Sequence, residues 1–179
     1  MKESVTVLIK EEDVQQRVAE IAGMIDDEFA GKTITLICVL KGGVIFMVDV
    51  AKKLRKASVE LDFMDISSYG DGTTSSGTIK INKDLENSIE GKDVVLVEDI
   101  IDSGRTLSHI VKHLKSQNPN SFRVCTLLDK PDRRVVFDVT PDIVGFSIPD
   151  EFVVGYGLDY AQRYRNLPFI GVLHLSDGE

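Results

Sequence analysis

The feature that most constrains how this chain can fold is the stretch from Val94 to Leu107, read Val-Val-Leu-Val-Glu-Asp-Ile-Ile-Asp-Ser-Gly-Arg-Thr-Leu. Val94 to Val97 is an unbroken apolar run, too short for a helix, and it follows the turn-like Gly91-Lys92-Asp93. Such a run reads as a strand buried on both faces, the kind found in parallel sheets. Glu98 and Asp99 stand where that strand should end, and Asp102-Ser103-Gly104-Arg105-Thr106 makes a small polar loop. Apolar residues resume at Leu107, Ile110, Val111 and Leu114, the spacing of one helix face. The unit is strand, loop, helix. Repeated along the chain, it predicts an α/β fold with a mainly parallel, twisted sheet flanked by helices.

The first backbone N–H groups of a helix lack internal partners and carry the positive end of the helix dipole, so the loop suits an anion. Gly104 allows close backbone approach, Ser103 and Thr106 add hydroxyl donors, and Arg105 adds positive charge. Glu98, Asp99 and Asp102 would repel a phosphate unless they accept from sugar hydroxyls, hold a divalent cation or take a proton. A phosphorylated sugar with magnesium meets all three conditions. An ordinary turn with Ser103 or Thr106 as helix cap is the structural alternative. A Walker loop is excluded, because no Gly-Lys-Ser/Thr follows a glycine at the required spacing.

At 179 residues the chain is one ordinary domain with room for a substantial core. Its formal charge of -8 argues against a sequence-nonspecific nucleic-acid binder, so no nucleic-acid partner is expected. Cys38 and Cys125 sit inside apolar, strand-like runs, where thiols act as small core residues and a reducing cytoplasm is the default. Met1 to Ser4 lacks the apolar core of a signal peptide, and no segment approaches eighteen consecutive apolar residues; no membrane partner is expected.

Val14, Val18, Ile21, Ile25 and Phe29 mark a helix face after Glu11-Glu12-Asp13, and Gly31 is placed to stop it. Ile34 to Leu40 reads as a buried strand, followed by Lys41-Gly42-Gly43 and a helix through Val44, Met47, Val48, Ala51 and Leu54. Val59, Leu61 and Phe63 alternate with polar residues, so Val59 to Ile66 reads as a strand with one face more exposed. Ser67 to Gly77 is loop chemistry before a returning strand from Thr78 to Ile81; it is either a solvated hairpin tip or, given its length, a functional loop. Arg123 to Leu128 is another buried strand, ending in Asp129-Lys130-Pro131-Asp132-Arg133-Arg134. Arg133 and Arg134 read as a solvated face, whereas Lys130 stands at a strand's carboxyl end, where ligands of open α/β sheets collect. Asp142 to Ile148 and Phe169 to Leu175 are further strands, with Pro149-Asp150-Glu151 turning the chain between them. His109 and His113 read as surface residues of a helix, and His174 carries no separate signal.

The Val94 to Leu107 stretch resembles the phosphoribosyl-pyrophosphate signature of the type I phosphoribosyltransferases. Lys130 together with Phe152-Val153-Val154-Gly155-Tyr156-Gly157-Leu158-Asp159-Tyr160 is similar to the base-binding region of the hypoxanthine-guanine members of that family, and the likeness covers nearly the whole chain. The resemblance implies a core of about residues 10–148 and a small hood from about 1–9 and 149–179, together one domain. It implies that Glu98, Asp99, Asp102, Ser103, Gly104, Arg105 and Thr106 bind the ribose phosphate, and that Lys41, Gly42 and Arg165 bind pyrophosphate after a peptide, Leu40-Lys41, that is often cis. Phe152 would stack on the purine, Val153 would contact its edge through backbone, Lys130 would donate to the six-position oxygen, and Asp159 would lie at the base close to the pyrophosphate-bound magnesium. Glu98, Asp99 and Asp159 are the candidate magnesium ligands, Asp102 the candidate base with Arg165 as its catalytic partner, and Ser68-Tyr69 the pair carried by a mobile flap.

The implied activity is magnesium-dependent transfer of the phosphoribosyl group from 5-phosphoribosyl 1-pyrophosphate (PRPP) to hypoxanthine or guanine, giving IMP or GMP and pyrophosphate in purine salvage. The family usually forms dimers or tetramers, so a homo-oligomer is expected. A xanthine-preferring transferase and a PRPP- or nucleotide-sensing RNA-binding regulator share the motifs; the acidic balance and the joint presence of Lys130 and Phe152 favour the enzyme. Ser103 and Arg105 stand where some relatives carry threonine and lysine, and Gly157 where some carry alanine, a change expected to loosen the base pocket.

Overall fold

A computed structural model of the chain describes residues 2–68 and 79–176. Its elements in chain order are β1 (Lys2–Ile9), α1 (Glu11–Glu28), β2 (Thr33–Leu40), α2 (Val44–Ala51), β3 (Ser58–Ser68), β4 (Ile79–Lys83), β5 (Asp93–Ile101), α3 (Arg105–Lys115), β6 (Ser121–Asp129), β7 (Ile143–Ser147), β8 (Val153–Val154) and β9 (Ile170–Ser176). A short 3-10 turn over Pro131–Arg133 follows β6.

Six strands form the main sheet in the order β4-β3-β2-β5-β6-β7, and β1, β9 and β8 form a second sheet of three. Within the large sheet β3/β2, β2/β5, β5/β6 and β6/β7 are parallel, while β4 returns antiparallel on β3. The chain runs outward from β2 to β3 in one direction and from β5 to β6 in the other, so the order reverses between β2 and β5. Loops leaving the carboxyl ends of two such strands diverge and leave a crevice. Here those loops are Lys41–Gly43 and Asp102–Gly104, the two segments that the resemblance assigns to phosphate groups.

Alternation along β2 and β5 divides the core between the two faces of the sheet. Leu36, Cys38, Val95 and Val97 pack with Val14, Val18, Ile21 and Ile25 of α1 and Phe46, Met47 and Val50 of α2. Ile37, Val39, Val94 and Leu96 pack with Leu107, Ile110, Val111 and Leu114 of α3. The edge strand β7 is covered by α1, whose Arg17 donates from Nε to Gly145 O at 2.9 Å and from Nη2 to Val144 O at 2.8 Å. No helix among the described residues is long and apolar enough to cross a membrane.

Several local expectations are revised. β5 continues through Ile101 rather than ending near Val97, because Glu98, Ile100 and Ile101 remain in register with Thr126, Leu128 and Asp129 of β6. In β3 the buried face carries Asp62 and Met64, while Leu61 is 46% exposed. Asp62 tolerates burial because its carboxylate accepts from the backbone N–H groups of Phe63, Glu86 and Asn87. α2 ends at Ala51, before Leu54. Ser67 and Ser68 extend β3, and Tyr69 to Thr78 lie outside the described residues.

Leu96 is fully buried in the middle of β5, packed against α3. Leu96→Ala is expected to lower unfolding free energy by about 2–5 kcal/mol in urea titration, the range for buried leucine truncation. A loss near zero would contradict its placement at the centre of this layer.

Candidate active site

Two cavities open along the carboxyl edge of the large sheet and meet at the end of β5. The first, about 370 Å³, is lined by Gly42, Glu98, Asp99, Asp102, Ser103, Gly104 and Thr106, with Ser67, Ile79 and other strand-end residues. The second, about 440 Å³, is lined by Lys130, Arg133, Asp150, Phe152, Val153, Leu158 and Asp159. Asp99, Ile100 and Asp102 line both, which makes the pair a continuous two-compartment site.

The first compartment is built by backbone. Gly104 caps α3 with a left-handed φ of 83°, so the chain turns from β5 into the helix within three residues, and Gly104, Thr106 and Leu107 at the start of the helix line the cavity. Neither Ser103 nor Thr106 makes a side-chain cap; the Arg105 N–H reaches Ser103 Oγ at only 3.4 Å. The loop is held from outside, since Val135 N and Val136 N donate to Ser103 O at 3.0 and 3.1 Å. A Cβ on Gly104 would come within 2.6 Å of Val136 O, so that close approach needs glycine. Arg105 and Thr106 are exposed on the first turn of α3.

Opposite this loop, the Leu40-Lys41 peptide is cis. Gly42 is buried, and a Cβ there would lie 1.6 Å from Asp99 Oδ2, so the Asp99 carboxylate packs directly on the glycine backbone. Asp99 as a residue is partly accessible, yet its carboxyl is enclosed by this contact. Burial pushes the Asp99 carboxyl up to about 6, against the pull of the Ile100 N–H and the Arg165 charge. Glu98 is 8% exposed and its Oε1 is buried without a hydrogen-bond partner. Burial first, and then the neighbouring Asp99 charge, raise the Glu98 carboxyl well above the usual carboxylate range.

Around the far side of Gly42, Gly157 adopts φ 103° and packs on it so closely that a Cβ would meet Gly42 O at 2.0 Å. Gly157 does not line the second cavity, so the expected loosening of a base pocket has no contact to act through there; its bare backbone instead permits the close contact between the second sheet's loop and the Lys41–Gly43 turn. Arg165 fixes the same junction, donating from Nη1 to Gly157 O at 2.7 Å and pairing with Asp159 Oδ1 at 2.7 Å. Lys41 Nζ donates to Gln162 Oε1 at 3.3 Å, and Gln162 N donates to Asp159 Oδ2 at 2.8 Å. Lys41, Gly42, Asp159 and Arg165 are thus brought together. Among the described residues no three His, Cys, Asp or Glu side chains form a ready metal cluster. The donors nonetheless suit magnesium, which takes one or two carboxylates and leaves its remaining positions to water and substrate oxygens. The unpartnered Glu98 Oε1, beside Asp99, has the character such an ion satisfies.

The second compartment has one wall at the end of β6. Lys130 is 6% exposed, its N–H bonded to Ile101 O at 3.0 Å and its Nζ 3.9 Å from Asp150 Oδ1. Phe152 is 53% exposed and meets Tyr160 edge-to-face, and Val153 is buried in β8, paired with Val172. Of Arg133 and Arg134, Arg133 is exposed as expected but Arg134 is not part of a solvated face. Arg134 is 8% exposed in its side chain and pairs with Asp129, because its guanidinium also reaches Asp102 O and must be neutralised where it is buried. Arg133 Nε lies 2.9 Å from Asp102 Oδ1, an ion-pair distance without hydrogen-bond alignment, and its Nη1 lies 3.2 Å from Asp150 Oδ1. Arg133 and Asp150 were missed from sequence; an acid just after a strand at this edge is the only signal that could have marked Asp150. His113 pairs with Asp84 at 2.8 Å, away from the site. Ser68 ends β3 with its side chain outside the described residues, as is all of Tyr69.

Asp99 binds its proton more tightly in the folded chain than in the unfolded one, so stability falls as pH rises from about 4 to about 6 and stays lower above that. In chelator and without substrate, Asp99→Asn should resist urea better than the wild type near about pH 8, with the difference closing toward about pH 4. A difference independent of pH would remove the ionised carboxylate as its cause.

The family model described as the phosphoribosyl transferase domain matches residues 6–161. The hypoxanthine-guanine phosphoribosyltransferase of Bacillus subtilis (strain 168) is 52% identical over 167 residues, 93% of this chain and 92% of that protein. The hypoxanthine phosphoribosyltransferase of Escherichia coli (strain K12) is 49% identical over 179 residues, 99% of each. The bifunctional protein TilS/HprT of Listeria monocytogenes (serotype 4b, strain F2365) is 52% identical over 167 residues, and the chain spans 26% of its length. A crystal structure of a hypoxanthine phosphoribosyltransferase from Staphylococcus aureus superposes with a TM-score of 0.89 at 47% identity, covering 94% of this chain and 91% of that one. With the crevice between β2 and β5, the glycine-capped loop before α3 and these likenesses in agreement, the chain belongs to the phosphoribosyltransferase family.

Proposed function

We propose that the chain transfers the phosphoribosyl group of PRPP to hypoxanthine or guanine, releasing pyrophosphate and forming IMP or GMP. The observation that carries this reading is the pair of cavities meeting at Asp99, Ile100 and Asp102, one floored by a phosphate loop and the other walled by a buried lysine and an open aromatic ring. One compartment suits a sugar phosphate, the other a flat oxygen-bearing base, and their junction is where a bond between the two would form.

In this reading the 5-phosphate sits on the N–H groups that open α3, with the Ser103 and Thr106 hydroxyls and the Arg105 charge. Glu98 and Asp99 accept from the ribose hydroxyls and orient the anomeric carbon. The bond from that carbon to pyrophosphate breaks with its electron pair going to the leaving group, purine N9 forms the new bond, and the imidazole proton passes to Asp102. The Lys41 and Gly42 amides with Arg165 stabilise charge on the departing pyrophosphate. Glu98, Asp99 and Asp159, with the substrate's own oxygens, would hold magnesium, whose chemistry there is neutralisation of pyrophosphate charge. The flap assigned to Ser68-Tyr69 would exclude water from the reactive sugar. A homo-oligomer and a cytoplasmic setting belong to the same reading.

Lys130 sets the choice of base. Its ammonium donates to a carbonyl at the six position, whereas the amino group of adenine offers only further donors.

Turnover of hypoxanthine, guanine, xanthine and adenine with PRPP, in magnesium and then in excess chelator, tests the reading. Chelator-sensitive formation of IMP and GMP is expected, and binding of PRPP without turnover of any base would favour a sensor instead. Asp102→Asn should lower kcat by about 10²–10⁴-fold, the range for losing a general base. Lys130→Ala should raise the KM for hypoxanthine while leaving that for PRPP unchanged; an intact oxopurine KM would remove Lys130 from base selection.

A further inference from the structure

We propose that Tyr160 is a positioning residue for the ring of Phe152, held in place by an Arg163–Glu3 anchor. The proposal rests on reading the second cavity as the purine site. Phe152 is fixed at its backbone, where Leu173 N donates to Phe152 O at 2.9 Å, but its side chain is open at the cavity wall. A ring that is half free in solvent makes a poor platform for a flat ligand unless a neighbour sets its plane, because ordering it at binding costs affinity.

Tyr160 supplies that neighbour. The two rings meet edge-to-face, centroids 5.8 Å apart and planes at 88°. Tyr160 is itself constrained. Its N–H donates to Arg163 O at 3.1 Å and its O accepts from Arg163 N at 3.0 Å, closing a turn in which Ala161 and Gln162 have φ of 50° and 65°. The Arg163 guanidinium then lies 5.9 Å from the Tyr160 ring centre and 5.5 Å from that of Tyr164. Arg163 Nη2 pairs with Glu3 Oε1 at 2.6 Å, and the Tyr164 hydroxyl donates to the same carboxylate.

Glu3 belongs to β1, which pairs with β9 as β9 pairs with β8, the strand that begins directly after Phe152. The contacts therefore close on themselves: sheet, Glu3, Arg163, Tyr160, Phe152 and back to the sheet. Such a ring fixes an otherwise open aromatic plane without enclosing it, and leaves its remaining surface for the base.

Steady-state kinetics on four single and two double variants test this. Tyr160→Leu should raise the KM for hypoxanthine and guanine by about two- to tenfold, the scale of an edge-to-face aromatic pair, with the KM for PRPP unchanged. Tyr160→Phe, which keeps the ring, should hold the purine KM near the wild-type value. In a Phe152→Leu background, Tyr160→Leu should add nothing. Arg163→Gln, an exposed change that spares the fold, should raise the purine KM in the same direction and lose its effect in the same background. An unchanged purine KM in Tyr160→Leu and Arg163→Gln, or an equal rise with and without Phe152, overturns the proposal. If Phe152→Leu alone leaves the purine KM unchanged, the purine reading of the cavity fails instead.

Discussion

The structure depends on two carboxylates held at the end of a buried strand. Glu98 and Asp99 sit where β5 has run past its pairing with β2 and keeps only β6 as a partner, and Asp99 rests on the bare backbone of Gly42. Burying two adjacent acids is unfavourable in itself, and both carboxyls respond by holding their protons at higher pH than usual. A chain selected only for stability would place apolar residues there. Retaining the acids makes sense where a ligand brings hydroxyl donors and a cation that favour their ionised forms, so local instability of the empty site becomes affinity in the occupied one.

Other features follow from keeping that edge compact. The parallel order reverses between β2 and β5, so the loops after these strands part and the crevice opens over the acids. Glycines stand where the chain is approached most closely: Gly42 under the Asp99 carboxylate, Gly157 against the Gly42 backbone, and Gly104 at the cap of α3 against the Val136 carbonyl. The three-stranded sheet then brings Asp159 and Arg165 to the Lys41–Gly43 turn and Phe152 to the facing wall. Two compartments and one junction result from three strand ends and one folded-over loop.

Much of this was legible in the sequence, for identifiable reasons. The Val94 to Leu107 stretch carries its own structure, because a doubly buried strand, a glycine loop and an amphipathic helix each leave a local pattern. Lys130 could be singled out because a lysine ending an apolar strand is out of place unless something uses it. The length of β5 could not be read, since ladder pairing with β6, rather than residue type, carries the strand through Glu98 and Asp99. Arg134 looked like part of a charged surface run, and only the fold reveals that Asp129 and the Asp102 carbonyl draw it inward. Asp62 was hidden by alternation: its face is the buried one because three backbone N–H groups satisfy it. Gly157 drew attention as a departure in the base region, whereas its reason is a contact with a residue far away in sequence.

The central claim is that the two cavities are one site, with sugar phosphate and base on either side of Asp99, Ile100 and Asp102. A crystal structure of the protein soaked with IMP tests it most directly. The account predicts the phosphate on the amino end of α3 at Ser103 to Thr106, the base between Phe152 and Lys130, and the ribose hydroxyls on Glu98 and Asp99. A nucleotide bound with its phosphate elsewhere, or with its base outside the Lys130–Phe152 compartment, would contradict it.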